Sequence, residues 1–317
     1  MLIKPPRSPT FATVKPVTRS YIFLHTAVLL FGVTAILGKL ISIQAIPLVW
    51  HRLWISSIGL ILVPGVLKGL KKIDWRDKIR FTLIGCIVAT HWVTFYHSIK
   101  LGDSASITLA CLATTTLFTS ILEPLITKST YNPAESILGV FVLVGIYFIT
   151  QVDAIFYSAI VVGLISAFFA ALFSTLNKKY ISNHNSLSVS WIELTAGFLV
   201  VSVVLPIFYS DRLMEVINPV ATDWLWLVLL GLVCTSLAFA LALEALKNLS
   251  AFISNLSINL EPVYGIILAA LIFQENKELD VNFYIGTTLI LLAVAVHPFI
   301  TRYQKRKGKK DTQTILS

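Results

Sequence analysis

The stretch Asn255–Gly265, "NLSINLEPVYG", decides how this chain is read. Two asparagines, a glutamate and a proline stand inside an apolar run, 252–273, that is long enough to cross a bilayer; about 20 residues of helix span ~30 Å of hydrocarbon. Pro262 has no N–H, so the carbonyl of Ile258 loses its usual helical partner, and the helix is expected to kink or open there. At bilayer depth such a carbonyl is tolerated only against protein or a water-filled cavity. Asn255, Asn259 and Pro262 are spaced i, i+4, i+7 and share one helical face, with Glu261 bordering it. An ionised carboxyl at mid-bilayer costs roughly 2.5–3.5 kcal/mol on insertion scales, so this face is expected to look inward. It either walls a midplane cavity that takes a polar substrate or a proton, or forms a helix–helix hydrogen-bond cluster with Glu261 neutral or paired.

Whether the run lies in lipid is answered by the rest of the chain. Of its 317 residues 56% are hydrophobic and 13% charged, and mean hydropathy is +0.82. A soluble core cannot hide that much apolar side chain behind so few charges, whereas lipid can solvate it. The net charge of +9 sits mostly in two tails and one joint, without the aromatic-interleaved patch of a nucleic-acid surface, so the expected partners are the bilayer and a small molecule, not nucleic acid. Cys86, Cys111 and Cys234 all fall in apolar runs and frame neither a disulfide network nor a metal site.

Ten spans can be drawn, at 21–41, 46–67, 79–99, 104–127, 134–151, 155–178, 187–209, 223–246, 250–273 and 281–301, joined by short turn-forming stretches such as "YNP" and "SNHNS". The polar segment 1–19 precedes them and the basic segment 302–317 follows. Lys68, Lys71, Lys72, Arg76, Lys78 and Arg80 crowd one joint, and further lysines and arginines fall in the tails and on the same alternating side. The other side holds only Lys39, Lys100, Arg212 and Lys277. The positive-inside bias therefore places both termini in the cytoplasm. The fold expected is all-α and integral to the membrane.

Shifting the sequence by 146 lays "LIGCIVATHWVTFYHSIKLGDSASI" on "LLGLVCTSLAFALALEALKNLSAFI", so that Gly85 meets Gly231 and Ala105 meets Ala251. Upstream the shift is smaller, with Trp50 against Trp191 and Arg52 roughly against Glu193. Each copy holds five spans, 20–151 and 155–301, and an odd number turns the second copy upside down relative to the first. Inverted repeats are the structural basis of alternating access. With "AFISNLSINLEPVYGIILAALIFQE", carrying Ala251, Glu261-Pro262 and Glu275, the chain resembles the EamA family of the drug/metabolite transporter superfamily. The resemblance implies a carrier without cofactor or metal, most often an exporter of amino acids or small metabolites. It also implies a multi-pass bacterial inner-membrane location and a central cavity lined by spans 1, 3, 4, 6, 8 and 9; a homodimer is compatible with it. The first copy departs from the pattern: Thr115-Thr116 stand where Glu-Pro is expected, and Glu123-Pro124 come eight residues later.

Other candidates accompany the Asn255 face. Thr115 and Thr119 belong to a hydroxyl stripe on span 4 that either faces a cavity or bonds back to its own carbonyls. His91 is a packed neutral histidine or a proton relay. Arg52 either snorkels to the interface or receives a carboxylate. Glu123, near the end of span 4, either serves proton coupling, with Glu261 and His91, or pairs with Lys128 or Arg80. Glu193 and Glu244 read as interfacial acids. The six histidines are scattered, HExxH and GxSxG do not occur, and "GVTAILGK" (32–39) has five residues between its glycines where a P-loop has four. An enzyme is therefore disfavoured, and a channel or scaffold has no need of the repeat.

Overall fold

A computed structural model describes residues 16–149 and 157–273, together with 281–300 apart from 283, 291, 294, 297 and 298. Glu275 and both terminal tails beyond these bounds lie outside the described residues. The elements are α1 (Pro16–Leu40), α2 (Ala45–Ile61), the short α3 (Val66–Leu70), α4 (Trp75–Gly102), α5 (Ala105–Leu112), α6 (Thr115–Thr127), α7 (Pro133–Ile149), α8 (Tyr157–Tyr180), α9 (Ser186–Tyr209), α10 (Leu213–Val216) and α11 (Ala221–Gly231). A π-helical turn, Leu232–Leu237, leads into α12 (Ala238–Leu246), and α13 (Ala251–Ile258) and α14 (Glu261–Phe273) follow. Helical residues recur between 281 and 300. Among the described residues, six helical runs are long and apolar enough to cross a membrane: 16–40, 75–102, 107–127, 157–180, 186–209 and 221–246.

The distribution of side chains is that of a protein solvated by hydrocarbon. Ile207 and Leu125 are 71% and 72% exposed, whereas Thr119, Asn177 and Glu193 are fully buried. With no hydrophobic drive between helices in lipid, close contact comes from small residues. On α8, Ala159, Gly163, Ser166, Ala170 and Ser174 form such a stripe, packed against α4, α5 and α6. A Cβ on Gly163 would stand 2.9 Å from Cys111 Cβ.

The two halves repeat each other residue by residue. Ser104 and Ser250, 146 apart, cap α5 and α13 by accepting from the N–H of Ile107 (3.3 Å) and Ile253 (3.1 Å). Gly85 on α4 lies on the backbone of Glu193 in α9, and Gly231 lies on the backbone of Arg52 and the side chain of Ile55 in α2. Asp77 reaches His184 at 2.9 Å, while its counterpart Asp223 accepts from the N–H (3.1 Å) and hydroxyl (2.7 Å) of Ser42. The caps lie within their own halves, whereas the glycine and aspartate contacts join one half to the other. The largest helix contacts also run between halves: α4 packs on α8 and α9, α1 on α12 and α14, and α2 on α9 and α11.

Candidate functional site

Two helices of the bundle are interrupted, and the interruptions face a common space. Between α5 and α6 the helix breaks at Ala113 and Thr114; between α13 and α14 it breaks at Asn259 and Leu260. The first halves pack on the opposite second halves, α13 against α6 and α5 against α14. Beside the crossing lies a cavity of about 80 Å³, walled by α1, α2, α4, α5, α6, α8, α12, α13 and α14. A single water needs roughly 10–15 Å³ on this measure, so the space holds several waters or a compact solute. Its wall is largely apolar, with Phe31, Trp92, Phe95, Phe173 and Phe239 the bulkiest members and a few polar groups between them.

Arg52 is the cation of this wall. It does not snorkel: only 2% of it is exposed. Its Cζ stands 3.8 Å from the centroid of the Trp92 ring, Nη1 donates to Tyr96 Oη at 2.9 Å, and Nε donates to Thr235 Oγ1 at 2.6 Å. Thr235 belongs to the π-turn, and its own hydroxyl reaches five residues back to the carbonyl of Leu230 at 2.6 Å. An inserted π-turn of this kind re-aims side chains and recurs at functional sites. Sequence inspection could not find Thr235, because one extra residue per turn leaves no periodic signal.

Glu261 is the carboxyl of this wall. It lines the same cavity, takes no hydrogen bond among the described residues, and lies near enough to Arg52 for their charges to interact, without an ion pair within 4.0 Å. Asn255 also lines the cavity and donates from Nδ2 to Thr119 Oγ1 and Ser174 Oγ, both at 2.7 Å. Asn259 does not share this face. Its Nδ2 donates to Thr116 Oγ1 at 2.7 Å, on the crossing itself. The i, i+4, i+7 stripe fails because the helix stops at Ile258 and restarts at Glu261, which turns Asn259 away and Glu261 inward. Pro262 is the second residue of α14, a first-turn position where a missing N–H would have had no helical partner anyway.

The remaining candidates divide. Thr115 borders the cavity, its hydroxyl 3.3 Å from the carbonyl of Ala167; Thr119 bonds back to the carbonyl of Thr115 at 2.7 Å while accepting from Asn255. His91 borders the cavity, with Nδ1 2.9 Å from both the carbonyl and the hydroxyl oxygen of Ser166. Glu123 stands apart, and it pairs with neither Lys128 nor Arg80. Its two oxygens accept from the N–H groups of Ala251 (3.0 Å) and Phe252 (2.7 Å), tying the end of α6 to the start of α13. Glu193 is no interfacial acid, being 0% exposed.

Comparison with known proteins gives this arrangement a family. A model of the EamA-like transporter family matches residues 18–151 and again 157–297. The chain belongs to that family. Its two matches coincide with the two halves that repeat each other's caps, breaks and glycine contacts. In shape, 25 solved chains match; one of them, a crystal structure 16% identical in sequence, superposes with a TM-score of 0.70 over 90% of this EamA-like chain and 99% of its own. No curated protein matches it in sequence.

Proposed function

We propose that this EamA-like chain is a secondary transporter that exports amino acids or other small polar metabolites by alternating access. In this reading ten spans cross a bacterial inner membrane as two inverted quintets, with both termini in the cytoplasm, and the α5/α6 and α13/α14 crossing separates the cavity from one aqueous phase at a time. The observation that carries the reading is the cavity itself: a small, mostly apolar space at two broken helices, holding one guanidinium, Arg52, and one carboxyl, Glu261, held apart. A guanidinium and a separate carboxyl in a low-dielectric wall suit a zwitterion, with its carboxylate at Arg52 and its ammonium at Glu261, which the ammonium would hold ionised. Broken helices around such a space are the usual way a carrier places polar backbone at bilayer depth without exposing it to lipid. Exchange or an ion gradient would supply the drive.

The test is counterflow in proteoliposomes containing the full chain, with a radiolabelled mixture of the proteinogenic amino acids as probe. Wild type is expected to exchange label, and Glu261→Gln to lower the initial rate at least about tenfold, the equivalent of ~1.4 kcal/mol. A Glu261→Gln variant exchanging at the wild-type rate removes Glu261 from the site. A wild type that exchanges no amino acid removes the substrate class.

A further inference from the structure

One buried carboxyl has no part in the cavity. Glu193, in the first third of α9, accepts from Asn177 Nδ2 at 3.1 Å through Oε2, and Oε1 has no partner among the described residues. Charged and titratable groups on the elements around it are engaged elsewhere. Arg52 and Tyr96 are bonded to each other, His51 to the carbonyl of Ile217, His91 to Ser166, and Cys86 to the carbonyl of Thr82. Lys178 Nζ donates to the carbonyl of Leu246 at 2.8 Å, Glu244 takes Ser186 and Lys247, and Lys68 on α3 is exposed. Among the described residues, therefore, nothing positive faces Glu193. An ionised carboxylate held by one neutral amide in full burial costs several kcal/mol, and a proton on it removes that cost while supplying the O–H donor the amide oxygen lacks: Asn177 Oδ1 is likewise without a partner.

A row of hydroxyls on the same helix face leads from the carboxyl toward an exposed acid. Ser186, Ser190 and Glu193 are spaced i, i+4, i+7 and share one face of α9. At the lower end Ser186 Oγ donates to Glu244 Oε2 at 2.7 Å, and the Glu244 side chain is 39% exposed. Midway, the Ser190 hydroxyl is fully buried and without a partner. On the far side Gly85 of α4 lies directly against the backbone of Glu193.

We propose that Glu193 is a proton-binding carboxyl, loaded and unloaded along the Ser186–Ser190 face of α9, and that it couples proton movement to the transport cycle at a place separate from the cavity. The step is a proton transfer alone: an O–H bond forms on Glu193 as the aqueous phase at Glu244 gives one up. The coupling rests on the transporter reading above; the proton site does not.

Infrared spectra of the full chain in lipid, in H2O and in D2O, test the site without any substrate. The expected result is a carboxylic-acid C=O band at neutral pH that Glu193→Gln abolishes, that shifts in D2O, and whose shift Ser190→Ala slows at least about tenfold, the equivalent of ~1.4 kcal/mol. Asn177→Ala, which keeps Glu193, is expected to move the band by removing its hydrogen bond. A wild type lacking the band, or a band unmoved after prolonged exposure to D2O, overturns the site. In proteoliposomes a pH gradient is expected to accelerate wild-type amino-acid uptake, and Glu193→Gln to keep counterflow but lose that acceleration. Acceleration retained in Glu193→Gln, or produced by a sodium gradient in place of a pH gradient, overturns the coupling. No counterflow in wild type, with the infrared band present, counts against the transport reading and leaves the proton site standing.

Discussion

The two broken helices share a geometry and differ in chemistry. Thr114 N–H bonds to the carbonyl of Cys111 at 3.0 Å and Leu260 N–H to that of Ser257 at 3.0 Å; one turn on, Phe118 reaches Thr114 at 3.1 Å and Tyr264 reaches Leu260 at 3.2 Å. Every partner in the second helix lies 146 residues after its counterpart in the first. Yet the first restarts on Thr115-Thr116 and the second on Glu261-Pro262. The break is therefore fixed by position in the bundle, where the helices cross, and not by proline. What the second copy adds is charge. The same division holds two spans earlier in each copy: Arg52 and Glu193 occupy matching places under Gly231 and Gly85, but Arg52 opens onto the cavity while Glu193 is closed off from it. A duplicated scaffold has kept its packing and specialised its polar groups.

The sharpest way to break that comparison is at the packing both copies share. Gly85→Leu and Gly231→Leu each thrust a side chain into the backbone or Ile55 of the facing helix. Overpacking costs about 1–3 kcal/mol where neighbours can yield, and backbone yields least. Both variants are expected to lose monodisperse protein on size-exclusion chromatography after solubilisation. Loss for Gly85→Leu with a well-behaved Gly231→Leu would show that the halves do not depend equally on the contact.

A smaller effect separates the copies. Both α5 and α13 are capped by serine, but α13 alone carries a carboxylate on its next two N–H groups, from Glu123. Hydrogen bonds to a charged group contribute about 1.5–3 kcal/mol. Glu123→Ala is expected to lower stability by about 2 kcal/mol, and Ser250→Ala by about 1 kcal/mol, both read from reversible unfolding in mixed micelles. Equal losses in the two variants would mean that the carboxylate adds nothing to the serine cap, and that the tie between α6 and α13 is not specific to it.

Much of this was legible in the residues. Composition named the solvent and the 146-residue shift named the repeat, because lipid and duplication leave signals along the chain; Pro262 pointed to one interrupted helix, although the matching break before Thr115 shows that its missing N–H is not the cause. Three things left none. The face of Asn259 was misread, since helical spacing assumes an unbroken helix. Arg52 was open between the interface and a ligand carboxylate because its span begins near the surface, and Thr235, Tyr96 and Trp92, which hold it inside, come from distant elements. Glu193 looked like a rim acid until α4 and α8 were packed over it. Spacing can report what lies on one helix; it cannot report which helix covers it.

The least disruptive test bears on the comparison most directly. If position in the bundle sets the break, removing the proline leaves the break in place, as Thr116 at the matching place in α6 already does without one. Pro262→Ala then changes only the freedom of the unfolded chain, a loss of about 0.4–1 kcal/mol. Spin labels at positions 253 and 268, either side of the interruption, are expected to report the same separation with and without the proline. A longer separation in Pro262→Ala would mean that α13 and α14 had joined into one straight helix. Asn259 would then leave Thr116, Glu261 would rotate away from the wall it shares with Arg52, and the two copies would be breaking their helices for different reasons.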